Sequence, residues 1–166
     1  MPMNIGKRSI IALCFVLALG LPRTMEAQES RTTAPLPYDS LKAAAYGADD
    51  YGMKRYVMAF LKRGPNRDIP QDSAARLQQA HLANIIRMAE AGQLVMAGPF
   101  LDTGSVRGIY IFDVKTTEEA EALTNTDPAI KAGSLMMDLR PWYGPAALLE
   151  ISRISETLSQ KKITER

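Results

Sequence analysis

His81 is the only imidazole in this chain of 166 residues. An imidazole titrates near pH ~6.5, so it can give or take a proton at neutral pH. His81 lies four residues after Leu77 and four before Ile85. On a helix those spacings place it on or beside the core-facing stripe. Taken alone, that position fits a packed helix histidine better than a functional one. Asp127 precedes Pro128. Asp-Pro opens turns without needing any function. The same carboxylate, fixed on a loop, could instead orient an imidazole as a base-plus-orienter pair. Ser73, Pro99, Tyr110 and Arg140 are further candidates to line a binding pocket. Gly98-Pro99 reads either as a strand terminator or as a pocket rim where backbone approaches a ligand. The segment Leu101–Arg107, with Asp102 and Ser105, reads as a lid or a simple hairpin loop. Trp142 and Tyr143 fit a core or an interface better than a ligand platform.

The rest of the composition excludes much other chemistry. One His rules out sites built on two histidines, the common catalytic zinc arrangements among them. One Cys, Cys14, makes neither an internal disulfide nor a cysteine zinc site. There is no glycine-rich phosphate loop, no Gly-x-Ser-x-Gly elbow and no pair of spaced metal ligands. A Ser-His-Asp triad therefore lacks its nucleophile context. Nothing in the sequence calls for a cofactor. With 20 Lys+Arg against 18 Asp+Glu, the chain lacks the basic excess of a nucleic-acid binder. Its length suits one domain.

The elements that must hold these residues can be read from periodicity and punctuation. Asp39 or Ser40 caps a short helix ending at Gly47. Arg55–Leu61 is a strand, stopped by Gly64-Pro65. Ser73 is the expected cap of a long helix to about Ala91, with Gly92 as its left-handed stop. Leu94–Ala97 and Arg107–Val114 are strands. Thr116 and Glu119 form a capping box for a helix to about Asn125. Asp127-Pro128 begins a turn that Gly133 closes. Leu135–Trp142 is a fourth strand. Pro145 can open a last helix carrying Leu148, Leu149, Ile151, Ile154 and Leu158. Strand, helix, strand, strand, helix, strand is the ferredoxin-like βαββαβ order: an α+β domain with an antiparallel sheet and both helices on one face.

Alternation adds a second inference. Val57, Ala59 and Leu61 point one way in the first strand, and Tyr56, Met58 and Phe60 the other. Tyr110 and Phe112 oppose Ile109 and Ile111 in the third. Both faces are apolar, whereas a sheet with one wet face alternates with polar residues. The second face needs a cover: the C-terminal helix, the N-terminal segment or another subunit. A face-to-face homodimer would bury it symmetrically.

Lys7 and Arg8 precede an apolar run from Ile10 to Leu21. The run is shorter than the ~20 residues of a membrane span and fits a secretory signal peptide. The expected cut follows Ala27. The alternative is an uncleaved N-terminal anchor. With residues 1–27 go Lys7, Arg8, Arg23, Glu26 and Cys14, which takes 20 basic and 18 acidic residues to 17 of each. The expected product is exported to the periplasm or beyond. It is formally neutral, cysteine-free and without a stable membrane anchor. The organisation is then a signal peptide at 1–27, a linker with a short helix at 28–52, a folded domain at 53–143 and a helical extension at 144–166.

An ordered set of motifs now stands out between Met53 and Tyr143. It comprises His81-Leu82, Gly92, Leu94 to Ala97-Gly98-Pro99, Thr117-Glu118-Glu119-Ala120, Asp127-Pro128 and Ala132-Gly133. Together they resemble the YCII-related (YciI-like) family. The resemblance implies a dimeric α/β barrel built from two ferredoxin-like sheets. It also implies an active site with a His–Asp pair, here His81 and Asp127. The implied chemistry is general acid–base catalysis of the lyase or isomerase kind on a small enolisable or phenolic molecule, without a cofactor. Many relatives have an aromatic residue after Asp-Pro, where this chain has Ala129. The alternative is a non-catalytic ligand-binding or structural dimer module.

Overall fold

The computed structural model describes residues 35–161. The expected signal peptide lies outside them. Tyr38 opens one compact unit. In it, α1 (Ser40–Tyr46) is capped by the Asp39 carboxylate, which accepts from the Lys42 amide at 2.9 Å. The sheet strands are β1 (Met53–Arg63), β2 (Leu94–Pro99), β3 (Val106–Phe112) and β4 (Leu135–Pro145). They pair in the order β2-β3-β1-β4, with every neighbour antiparallel. The helices between them are α2 (Gln71–Glu90), α3 (Thr117–Thr124) and the short α4 (Pro128–Lys131). This is the ferredoxin-like α+β arrangement expected from the sequence.

Local chemistry explains most of the boundaries, including those that differ from expectation. Gly92 takes φ +70°, where any side chain would be strained, and it ends α2 as expected. Thr116 accepts from the Glu119 amide at 3.2 Å, but the returning Glu119 carboxylate binds the amide of Lys115. Ser73 does not cap α2. The helix starts at Gln71 after Pro70, and the Ser73 hydroxyl accepts from Arg76 instead. β2 ends at Gly98-Pro99, as expected, with both as its last two paired residues, and Pro141 does not interrupt β4. Both are edge strands, where a residue without an N–H loses no ladder bond if it faces outward.

Register fixes what each face of the sheet carries. Val57 pairs with Phe112, Ala59 with Tyr110 and Leu61 with Gly108. These side chains share the face covered by α2 and α3. With Met88, Leu94 and Ala120 they make the main core, and Ala59, Met88, Phe112 and Ala120 have no exposed surface. The opposite face holds a smaller cluster of Tyr56, Val95 and Ile111, flanked by Met58, Met96 and Trp142. Its cover comes from the C-terminal end, but not from one continuous helix. Pro145 closes β4, a 3-10 turn runs Ala146–Glu150, and α5 covers Ile151–Leu158. Leu148 and Leu149 of the 3-10 turn lie on Tyr56, Val95 and Ile111. α1 is tied to the same turn, because Lys42 Nζ stands 2.5 Å from Glu150 and the Tyr46 hydroxyl donates to that carboxylate. No helix among the described residues is long and apolar enough to cross a membrane.

Candidate active site

α2 has only one charged side chain in its first turn, Asp72, and turns His81, Asn84 and Met88 inward. These three follow at spacings of three and four, one helical stripe. Met88 serves the core, while His81 and Asn84 are polar and need partners. His81 finds two. Its Nδ1 lies 2.5 Å from Asp127 Oδ2, and its Nε2 lies 3.2 Å from the Tyr110 hydroxyl.

The main chain itself holds Asp127 in place. It is the N-cap of α4, and its second oxygen accepts from the Ala129 amide at 2.8 Å. Pro128 occupies the first helical position, where its missing N–H costs nothing. Asp127 has no exposed surface. A buried carboxylate is tolerated only when its oxygens are bonded, and both are. Asn84 steadies the approach to it. The Asn84 carbonyl accepts from Arg87 at 2.9 Å, and Arg87 also donates to the Thr126 hydroxyl beside Asp127. Thr126 Oγ1 stands 3.1 Å from the Asn84 carbonyl oxygen. Helix α2 thus grips the loop before Asp127 one turn beyond His81.

Tyr110 fits under His81 because its strand neighbours are small. Ala59 faces it from β1 and Ala97 from β2. Burial pushes the Tyr110 phenol far above its ordinary range, and the Asp127 charge adds to the effect. The phenol therefore stays protonated and is a donor. With Nδ1–H given to Asp127, Nε2 of a neutral His81 is the lone pair that accepts from Tyr110. The order is carboxylate, imidazole, phenol.

His81 and Tyr110 also line a cavity of about 800 Å³ between α2 and the sheet. Leu61, Leu82 and Ile85 supply apolar wall, and Ala97, Gly98 and Pro99 form the β2 side. The volume is that of small-molecule sites, which run ~300–1,000 Å³. Next to the lining residue Arg63, Gly64 lets β1 end close against the chain before β4. Its amide donates to Ser134, and a Cβ there would collide with the Gly133 and Ser134 backbone.

The candidate residues therefore divide. His81, Asp127, Pro99 and Tyr110 come together at this cavity or directly behind it. Ser73 is not among its lining residues, being engaged with Arg76 on the first turn of α2. Arg140 pairs in register with Met58, so it faces the opposite side of the sheet, where it meets Asp138 at 3.0 Å. Sequence reasoning missed Asn84, Arg87 and Thr126. Their one signal was position: Asn84 is three residues after His81, and Thr126 adjoins Asp127.

A ferredoxin-like sheet with a buried His–Asp pair at a cavity defines a class of small α+β domains. Within it the family is clear: the YCII-related domain matches residues 56–142, and the chain belongs to that family. No curated protein matches the chain by sequence. Among solved structures it is similar to the 5-chloro-2-hydroxyhydroquinone dehydrochlorinase of Burkholderia phenoliruptrix AC1100, in complex with 2,5-dihydroxybenzoquinone. The identity is 19% and the TM-score 0.38, over 52% of this chain and 92% of that one.

Proposed function

We propose that this protein is a small-molecule enzyme that uses His81 and Asp127 for general acid–base chemistry of the lyase or isomerase kind. The observation that carries the reading is the 2.5 Å contact of His81 Nδ1 with a fully buried Asp127, on the wall of a cavity of about 800 Å³. Asp127 fixes the tautomer and leaves Nε2 as the basic atom. A substrate proton presented from the cavity would be taken at Nε2, either after the Tyr110 hydroxyl swings aside or through that hydroxyl. In the second case the phenol passes its own proton to Nε2 as it receives one from the substrate. It then ends protonated, and no free phenolate accumulates.

The apolar second face supports a homodimer. Met136 on β4, in register with Lys62 on that face, remains about half exposed. The basic and apolar start of the sequence supports export with cleavage after Ala27, and a periplasmic or secreted enzyme.

One observation favours the other reading, a ligand-binding module without catalysis. Both His81 nitrogens have protein partners and the residue is only 7% exposed, as a structural histidine would be. Turnover decides between them. The purified protein is screened against small enolisable and phenolic compounds with His81→Ala alongside. Losing a positioned general base lowers the rate ~10²–10⁴-fold. A turnover unchanged in His81→Ala refutes the catalytic reading.

A further inference from the structure

The charge lining the cavity is one-sided. Arg63, Arg67 and Arg107 border it, and no Asp, Glu or Lys does. After the expected cleavage the chain carries equal numbers of basic and acidic residues, so this is a local concentration. Among the described residues, none of the three arginines has a carboxylate within ion-pair distance. Lys42, Lys54, Lys62, Arg140 and Arg153 are paired; Arg55, Arg76, Arg87, Lys115, Lys131 and Lys161 are not, so it is their shared place on one cavity that sets the three arginines apart.

The fold sets these arginines at one end of the site. Arg63 follows Leu61 by two residues on β1, on the same helix-covered face, opposite Leu135. It lies four residues beyond Ala59, the partner of Tyr110, a rise of about 13 Å along the strand. Arg67 stands in the loop after β1, which Asn66 fastens to Ala132 through its amide. Arg107 donates one N–H to the Asp102 carbonyl at 3.1 Å, which leaves the other donors of its guanidinium free. A cavity with a proton-transfer pair in its wall and three unpaired guanidinium groups at its border selects for a polarised ligand.

We propose that the substrate carries an oxyanion, a carboxylate or phosphate remote from the reacting carbon, and that Arg63, Arg67 and Arg107 recognise it. Guanidinium groups suit planar and tetrahedral oxyanions because they donate in parallel pairs. The anchored end would leave the apolar body against Leu82 and Ile85, with the reacting atom toward His81. This rests on the reading of the cavity as a substrate site, but binding and turnover are separate measurements.

The test is calorimetric binding of matched probes to the purified protein: benzoate with benzamide, 2-hydroxybenzoate with 2-hydroxybenzamide, and 2,5-dihydroxybenzoate with its amide. Phenyl phosphate forms a further arm. The acid should bind about 10–100-fold more tightly than its amide in at least one pair, the worth of one charge-assisted hydrogen bond. That preference should fall with added salt and vanish in the combined variant Arg63→Gln, Arg67→Gln, Arg107→Gln. Arg76→Gln, on α2 and outside the cavity, should keep it. Tighter binding of phenyl phosphate than of any carboxylate assigns the site to phosphoryl groups, and the reverse assigns it to carboxylates. Amides binding as well as acids, no probe binding, or a preference that survives the triple substitution overturns the proposal. A His81→Ala variant that keeps the acid preference separates the two claims, because it shows the anion site whatever turnover shows.

Discussion

The two faces of one sheet are built from similar residues and do different things. The face under α2 and α3 is sealed: eight buried side chains form its core, the Tyr110 phenol among them, and a carboxylate and an imidazole are buried beside them. The face under the 3-10 turn has three buried side chains, Tyr56, Val95 and Ile111, with half-buried neighbours. The 20-residue α2 excludes water well enough to make an Asp–His–Tyr chain tight and to hold the phenol protonated. A five-residue turn covers apolar surface but leaves β4 open at Met136. Where cover is deep, polar groups are buried in bonded sets. Where it is shallow, charged residues such as Arg140 and Asp138 remain at the surface and pair there.

The largest expected effect breaks the sealed face. Asp127→Ala removes an N-cap and the partner of His81 together, and should cost about 2–5 kcal/mol in denaturant unfolding. Folded protein that remains should lose any turnover that depends on His81. Next comes the shallow face. Leu148→Ala, at a half-buried site on Tyr56, should cost about 1–2 kcal/mol. It should leave ligand binding in the cavity unchanged, which calorimetry on the folded variant checks. A change in cavity binding as large as that from Asp127→Ala would mean the two faces are not independent.

Tyr110→Phe sharpens the comparison from inside the sealed face. It deletes one hydroxyl and should cost ~0.5–1.5 kcal/mol. If the phenol relays the proton, turnover falls with it; if it merely blocks Nε2, turnover rises. Either way, a steady-state assay distinguishes relay from gate. The smallest effect concerns the exposed tie between α1 and the C-terminal turn. Lys42 first, then Tyr46 and Arg153, hold the Glu150 carboxyl down at about 2 against an ordinary 4.5. A depressed carboxyl stabilises the fold above its unfolded value and loses that contribution as pH falls through the folded one. Protection of the α1 amides against exchange, relative to the free-chain rate at the same pH, should therefore fall between pH 4.5 and 2, before protection in β1 and β3 does. Glu150→Gln should abolish that acid step.

Much of this was legible in the residues. The βαββαβ order, the two apolar faces and the cap at Gly92 follow from alternation, helical spacing and left-handed glycine, all local properties. The His81–Asp127 pairing was not. The two residues are 46 positions apart, and it was the family resemblance, not their spacing, that put them together. Ser73 and Arg140 misled for identifiable reasons. A serine near a helix start reads as a cap, yet Pro70 had already fixed the first turn. An arginine two residues before Trp142 gives no sign of which face it takes until register with Met58 is known. The C-terminal segment read as one helix because its apolar spacing is helical, and a 3-10 turn of five residues carries no separate signature.

The central claim is that Asp127 holds His81 with Nδ1 protonated and Nε2 as the basic atom. Because His81 is the only histidine, its two ring nitrogens give one unambiguous pair of signals in a long-range nitrogen–proton spectrum. For the neutral ring the account predicts a protonated Nδ1 and an unprotonated Nε2, with the preference lost in Asp127→Ala. A neutral His81 protonated at Nε2 would contradict it.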